Sequence, residues 1–178
     1  MTDAPPTDPK STEQILAPGV YVDHFRIMRL VGKGGMGEVY LARDMKLGRK
    51  VALKLLRGLD ASKDASAQFF LREAKTTARF AHPHIITIYA VGEGGTESFP
   101  YVALEYLEGA TLRERMTQNP PTLGESIRIA LDIADALQEA ERHQILHRDL
   151  KPENVMLPED GRLRVLDFGL AKPFTPAL

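Results

Sequence analysis

Cysteine is absent from the 178 residues, which excludes a disulfide framework and any thiolate-held metal. Charge of either sign is not in excess: the formal net charge is -1, which argues against a basic surface for nucleic acid and against an acidic solvating tail. Long hydrophobic runs are missing, and none approaches the ~20 apolar residues of a membrane span. The N-terminus has no apolar core of the signal-peptide kind, because Asp3 and Asp8 stand there among prolines and threonines. Internal repeats are missing too. What is present, 43% hydrophobic and 26% charged residues, is the composition of an ordinary globular protein. It suits a reducing cytoplasm, and the length suffices for one sizeable core or two small lobes.

Residues 1–18 are rich in Pro, Thr and Asp with little to bury, and read as a disordered leader. Strand patterns then cover 25–31, 38–43 and 50–56, joined by two tight turns into an antiparallel meander. A helix is expected over 62–80, with Phe70, Glu73, Thr77 and Phe80 on one face. Pro83 prevents its continuation. Strands follow over 85–91 and 100–105. After Gly109 the pattern turns helical, which places a lobe boundary there: residues 19–107 form one lobe and 108–178 part of another. Thr111 with Glu114, and Thr122 with Glu125, fit the reciprocal N-terminal capping pattern. They open a short helix and a long one ending near His143. The long helix carries two apolar stripes, Ile127, Ala130, Leu131, Ala134 and Leu137 on one and Ile129, Ile133, Ala136 and Ala140 on the other, and so expects neighbours on two sides.

Several residues carry chemistry. Gly32, Gly34 and Gly37 have the spacing of a loop whose backbone approaches phosphates and donates its amides to them. Dinucleotide-binding folds share this spacing but need a helix after the glycines, whereas Val39-Tyr40-Leu41 reads as a strand. No Gly-Lys-Ser/Thr closes the motif in the manner of a P-loop. A glycine hairpin without a ligand is the bland alternative. Lys54 lies among apolar residues on a strand, where an unpaired ammonium is costly. Its stem packs while the amine reaches water, or Glu73 on the inward helix face pairs with it. Asp149, Lys151 and Asn154 lie in His147-Arg148-Asp149-Leu150-Lys151-Pro152-Glu153-Asn154, and Asp167-Phe168-Gly169 follows. Each Asp or Asn alone reads as a turn or cap residue. Together they offer a base, a cation and two oxygen ligands for a metal.

From about Phe25 to Lys172 these motifs resemble the eukaryotic-type (Hanks-type) protein kinase domain in its bacterial serine/threonine style. Gly-Gly-Met-Gly-Glu-Val-Tyr, Lys151-Pro152-Glu153 and His82-Pro83-His84-Ile85 add to the resemblance. It implies an α+β, protein kinase-like fold: a complete five-stranded N-lobe with one helix, plus the first part of a helical C-lobe. It also implies ATP- and Mg2+-dependent phosphorylation of a protein Ser or Thr. In that family Asp149 handles the substrate hydroxyl proton, Lys151 offsets charge on the γ-phosphoryl, and Asn154 and Asp167 bind the metal. The nucleotide is expected against Val31, Gly32, Lys33, Gly34, Gly35, Met36, Gly37, Glu38 and Val39. It is further expected against Ala52, Lys54 with Glu73, the hinge Glu105 to Leu107 behind the gatekeeper Leu104, and Met156. Arg148 implies activation through a phosphorylated activation loop. Thr77 departs from the apolar residue often found beneath Glu73.

The family's Ala-Pro-Glu and later helices do not follow Asp167-Phe168-Gly169. The chain is therefore expected to end in the early activation segment and to leave part of the long helix uncovered, a surface for self-association. The alternative function is an inactive fragment that binds nucleotide or serves as an interaction module.

Overall fold

The computed structural model describes residues 16–34, 37–56, 64–79, 81–94 and 99–168. Most of the expected leader, the loop tip Gly35–Met36, Phe80, and everything from Gly169 onward lie outside them.

A six-stranded sheet carries the first half of the chain. Its strands are β1 (Tyr21–Val22), β2 (Phe25–Gly34), β3 (Gly37–Asp44), β4 (Lys50–Leu55), β5 (Ile88–Gly94) and β6 (Phe99–Glu105), in spatial order β1-β2-β3-β4-β6-β5. The β2-β3-β4 meander forms as its pattern dictates, with Lys33 opposite Glu38 and Val39 opposite Lys54. The sheet has one strand more than expected. β1 is only two residues long, too short for alternation to announce it, and pairs Tyr21 with Arg26.

Strand alternation sorts the side chains. One face buries Phe25, Ile27, Tyr40, Val51, Leu53 and Tyr101. The other faces α1 (Ala65–Thr77) and packs Val102 and Leu104 against Phe70, Leu71 and Ala74. The expected strand over 85–91 is displaced to β5. Ile85 and Ile86 leave the sheet after Pro83, and Ile86 N–H donates to Val165 O at 3.1 Å.

The second half holds a three-stranded sheet of β7 (Gly109–Thr111), β8 (Val155–Pro158) and β9 (Arg164–Val165). With it lie α2 (Leu112–Gln118), α3 (Leu123–Arg142) and a single 3-10 turn at Pro152–Asn154. Both capping boxes are formed: Thr111 Oγ1 accepts from Glu114 N, and Thr122 Oγ1 from Glu125 N. The second stripe of α3, and Leu137 of the first, find neighbours among the described residues. Ala136 and Ala140 are buried against Ile145, Val155 and Phe168, whereas Ile127 is 52% and Leu131 63% exposed. Among the described residues no helix is long and apolar enough to cross a membrane.

The two halves are tied together at one edge. Val165 N–H donates to His84 O at 2.8 Å, and Arg164 pairs with Glu105 at 3.3 Å. A cleft opens beside these ties.

Candidate active site

The cleft is an apolar slot of about 170 Å3 between the two halves. Val31, Val39 and Ala52 form its roof from the large sheet, and Met156 and Leu166 approach from the second half. Leu104, Glu105, Tyr106 and Leu107 form the connecting wall. The backbone N–H of Glu105 is used by Thr87 O at 2.9 Å. Tyr106 and Leu107 make no backbone–backbone hydrogen bond among the described residues, so their amide groups can serve a planar heterocycle. Ile86 and Leu166 also line the slot. The sequence reading missed them, although Leu166 directly precedes Asp167.

At the slot's mouth stand the charged groups. Lys54, 5% exposed, is placed there by β4 and reaches Asp167 Oδ1 at 2.7 Å. The expected Lys54–Glu73 pair is therefore corrected. The inward face of α1 is Ala67, Phe70, Leu71, Ala74 and Thr77, and Glu73 sits at its margin. Its side chain is 19% exposed and approaches Arg72 at 4.0 Å, and Asp167 supplies the nearer carboxylate to the ammonium.

The turn 147–154 is held by its own polar side chains. Asn154, 9% exposed, donates Nδ2 to Asp149 O at 2.8 Å and to Asp149 Oδ2 at 3.1 Å. Lys151 Nζ donates to the same Oδ2 at 2.6 Å. The Lys151 hydrogen bond, helped by Asn154 and opposed by burial, holds the Asp149 carboxyl below its usual range. The reciprocal bond raises the Lys151 ammonium. His147 donates Nε2–H to Leu166 O at 2.7 Å, because a carbonyl can only accept. Its Nδ1 then accepts Asp149 N–H at 3.3 Å. Burial pushes this imidazole toward the neutral form that both bonds require.

Leu166 N–H donates to Asn154 O at 2.8 Å, so the turn and the strand leading to Asp167 are fixed to each other. Arg148 (φ 64°) and Asp167 (φ 56°) both adopt the left-handed conformation. Such conformations cost about 1 kcal/mol or more for a residue with a side chain and gather at functional sites. The Arg148 guanidinium lies 5.7 Å from the Phe69 ring centroid on α1.

Gly32, Lys33, Gly34 and Gly37 lie in β2 and β3 between Val31 and Val39, the two residues of this hairpin that line the slot. Gly35 and Met36 fall outside the described residues. Gly37 has φ 110°, and a Cβ there would collide with Leu55 O. Glu38 was expected to face the nucleotide, but it is 3% exposed and bonded to Tyr40, on the face away from Val39 and the slot. Alternation along β3 allows no other arrangement once Val39 points into the cleft.

Asp167 and Asn154 offer oxygen donors, and among the described residues no group of three or more His, Cys, Asp or Glu could hold a metal unaided. That set is too small for a protein-only metal cage. It fits Mg2+, which takes one or two carboxylates and completes its shell with phosphate oxygens and water.

Comparison with known proteins identifies the family and the fold. The protein kinase domain family matches residues 25–177. The chain is 41% identical over 155 residues to the probable serine/threonine-protein kinase PknB of Lactococcus lactis, covering 86% of this chain and 24% of that protein. It is 40% identical over 148 residues to the serine/threonine-protein kinase PrkC of Bacillus subtilis, covering 83% and 22%. It thus spans about a quarter of the length of these curated relatives. The crystal structure of the Mycobacterium tuberculosis PknI kinase domain is similar with TM-score 0.77 and 34% identity, covering 89% of this chain and 64% of that one. A family match that takes in the glycine hairpin, Lys54, the 147–154 turn and Asp167 leaves one conclusion: the chain belongs to the protein kinase domain family.

Proposed function

We propose that this chain carries the nucleotide site and phosphoryl-transfer residues of a protein serine/threonine kinase, using ATP with Mg2+ on a protein hydroxyl. The setting proposed is the cytoplasm, where ATP is available. The observation that carries the reading is the convergence of Lys151 and Asn154 on one carboxylate oxygen of Asp149, within the fold that brings Lys54 and Asp167 to the apolar slot.

Adenine fits between Val39 and Ala52 above and Met156 below, with the peptide groups of Tyr106 and Leu107 at its edge. Lys54 binds phosphate oxygens. Asp149, kept ionised by Lys151, orients the attacking hydroxyl and accepts its proton at Oδ. Lys151 balances negative charge on the group in transfer. Asp167 and Asn154 would hold the metal, which supplies neutralising charge between the phosphates when bound.

A second reading, nucleotide binding without transfer, is favoured by two observations. Lys54 is engaged by Asp167 rather than Glu73, and Ile127 and Leu131 of one apolar stripe of α3 are exposed. One assay separates the two: phosphate transfer from ATP to a generic acceptor protein by wild type, Asp149→Asn and Lys54→Met. Transfer by wild type that both substitutions abolish is the expected result. Binding of ATP without transfer would establish the second reading, and absence of binding would overturn both.

A further inference from the structure

Glu38 is a carboxylate only 3% exposed, at the rim of the glycine hairpin. An ionised carboxylate in such a place is costly unless hydrogen-bonded and paired. Tyr40, fully buried on the same face of β3, donates its hydroxyl to Glu38 Oε2 at 2.6 Å. The same phenolic oxygen accepts the backbone N–H of Leu16 at 3.0 Å. The other carboxylate oxygen, Oε1, lies 3.3 Å from Nζ of Lys33. Lys33 is the cross-strand partner of Glu38, one register pair from the Gly34–Gly37 pair that closes the hairpin.

A continuous series of polar contacts thus runs from Leu16 through Tyr40 and Glu38 to Lys33. Its origin is anchored independently. The Leu16 side chain packs on the sheet's core, Gly19 N–H donates to Ile27 O at 2.8 Å, and Tyr101 donates its hydroxyl to Asp23 Oδ2 at 2.8 Å. All of this anchoring segment precedes residue 25, where the family match begins.

We propose that the segment from Leu16 to Val22 is a strap that sets the glycine hairpin, and that Tyr40 and Glu38 are positioning residues for the nucleotide's phosphates. The strap fixes the Tyr40 hydroxyl. The hydroxyl fixes the Glu38 carboxylate, which holds Lys33 and locks the cross-strand pair next to Gly34–Gly37. With that pair locked, Gly32, Gly34 and Gly37 are held over the mouth of the slot. Since Val39 lies between Glu38 and Tyr40, the adenine roof is a direct neighbour of the relay, yet its packing needs neither polar group. The relay therefore acts on phosphates and not on adenine. This rests on the nucleotide-site reading above.

Tyr40→Phe keeps the ring and removes the hydroxyl, and Glu38→Gln keeps an acceptor and removes the charge. Backbone hydrogen exchange without nucleotide is the first readout. Each variant should speed exchange across the hairpin by about tenfold, the loss of roughly one hydrogen bond, while β4 and β6 are unchanged. Unchanged hairpin exchange, or an equal rise in all three regions, would overturn the strap. Leu16→Pro removes the donating N–H and should match Tyr40→Phe; the double variant should be no worse, and full additivity would overturn the link. Calorimetry is the second readout. ATP and ADP should bind about fivefold more weakly to Tyr40→Phe, and adenosine should bind within about twofold of wild type. Equal weakening of all three would reduce Tyr40 to a structural residue. Wild type that binds none of them would sink the nucleotide-site reading alone, because the exchange result still decides the strap.

Discussion

Lys54 Nζ lies 2.7 Å from Asp167 Oδ1, joining β4 to the segment after β9 across 113 residues of chain. The two ends of this pair are unequally protected. The Lys54 side chain is 6% exposed and that of Asp167 27%. Neutralising the outer partner strands an ammonium in an apolar wall, whereas neutralising the inner one leaves a carboxylate within reach of water. Asp167→Asn, which keeps the left-handed backbone accessible, is therefore expected to lower unfolding free energy by about 2 kcal/mol. Lys54→Met, which fills the slot with apolar atoms, should cost less than about 1 kcal/mol. Urea unfolding of the two variants checks the order, and the reverse order would refute the argument. Both should abolish transfer.

Thr77 is 3% exposed on the inward face of α1, and its hydroxyl finds no hydrogen-bond partner among the described residues. A buried hydroxyl without a partner forfeits its hydration for nothing. Thr77→Val, of the same shape, should raise stability by about 1 kcal/mol and hold α1 more firmly against β5 and β6. Calorimetric melting would register this as a higher midpoint. A lower midpoint would mean that the hydroxyl is satisfied in solution.

What the sequence made legible follows from how local each signal is. The capping boxes at Thr111 and Thr122 are complete within four residues, and they formed. Asp149, Lys151 and Asn154 are near neighbours in one turn, so their spacing alone brings them together. The partner of Lys54 was not legible. Glu73 and Asp167 are both carboxylates within reach of the cleft, and the choice depends on how α1 is rotated on the sheet, which is a tertiary matter. Glu38 is a different case: strand alternation assigns it to the face opposite Val39, so the signal was present in the sequence. For the strap nothing local exists. Leu16 sits in a proline-rich stretch, and its N–H meets Tyr40 only after the sheet has formed. The exposed stripe of α3 was legible as apolar, but apolarity does not say what covers it.

The glycines of the hairpin should separate by conformation. Gly37 has a positive φ and no room for a Cβ, whereas a Cβ at Gly32 or Gly34 would meet nothing within 4 Å. Gly37→Ala must shift β3 away from Leu55 O and is expected to lose about 1–3 kcal/mol. Gly32→Ala and Gly34→Ala should stay within about 0.5 kcal/mol of wild type in stability yet weaken ATP binding, because their methyl groups hinder close approach of the phosphates. Denaturant unfolding beside nucleotide titration checks both halves. Equal destabilisation by Gly34→Ala and Gly37→Ala would show that the hairpin is built differently.

Asp44 ends β3 at 2% exposure and organises the turn to β4. Its Oδ1 accepts the N–H groups of Lys46 at 2.9 Å and Leu47 at 3.0 Å, and Arg49 Nε stands 3.6 Å from Oδ2. Burial opposes ionisation, but the amides of Leu47 and Lys46, with His24 and Arg49, outweigh it and hold the carboxyl below its ordinary 3.8. The unfolded chain therefore takes up its proton at higher pH than the folded protein does. The stabilisation from this group is complete well above pH 3.8 and is lost as pH falls through 3.8 toward the lower folded value. Asp44→Asn cannot titrate and cannot carry the negative charge. Wild type should be the more stable protein at neutral pH, with a constant margin until the acid limb, and the margin should shrink below pH 3.8. Parallel urea titrations of the two proteins from neutral to acid pH measure it. A margin that does not change with pH would show that the charge of Asp44 contributes nothing beyond the shape of the turn.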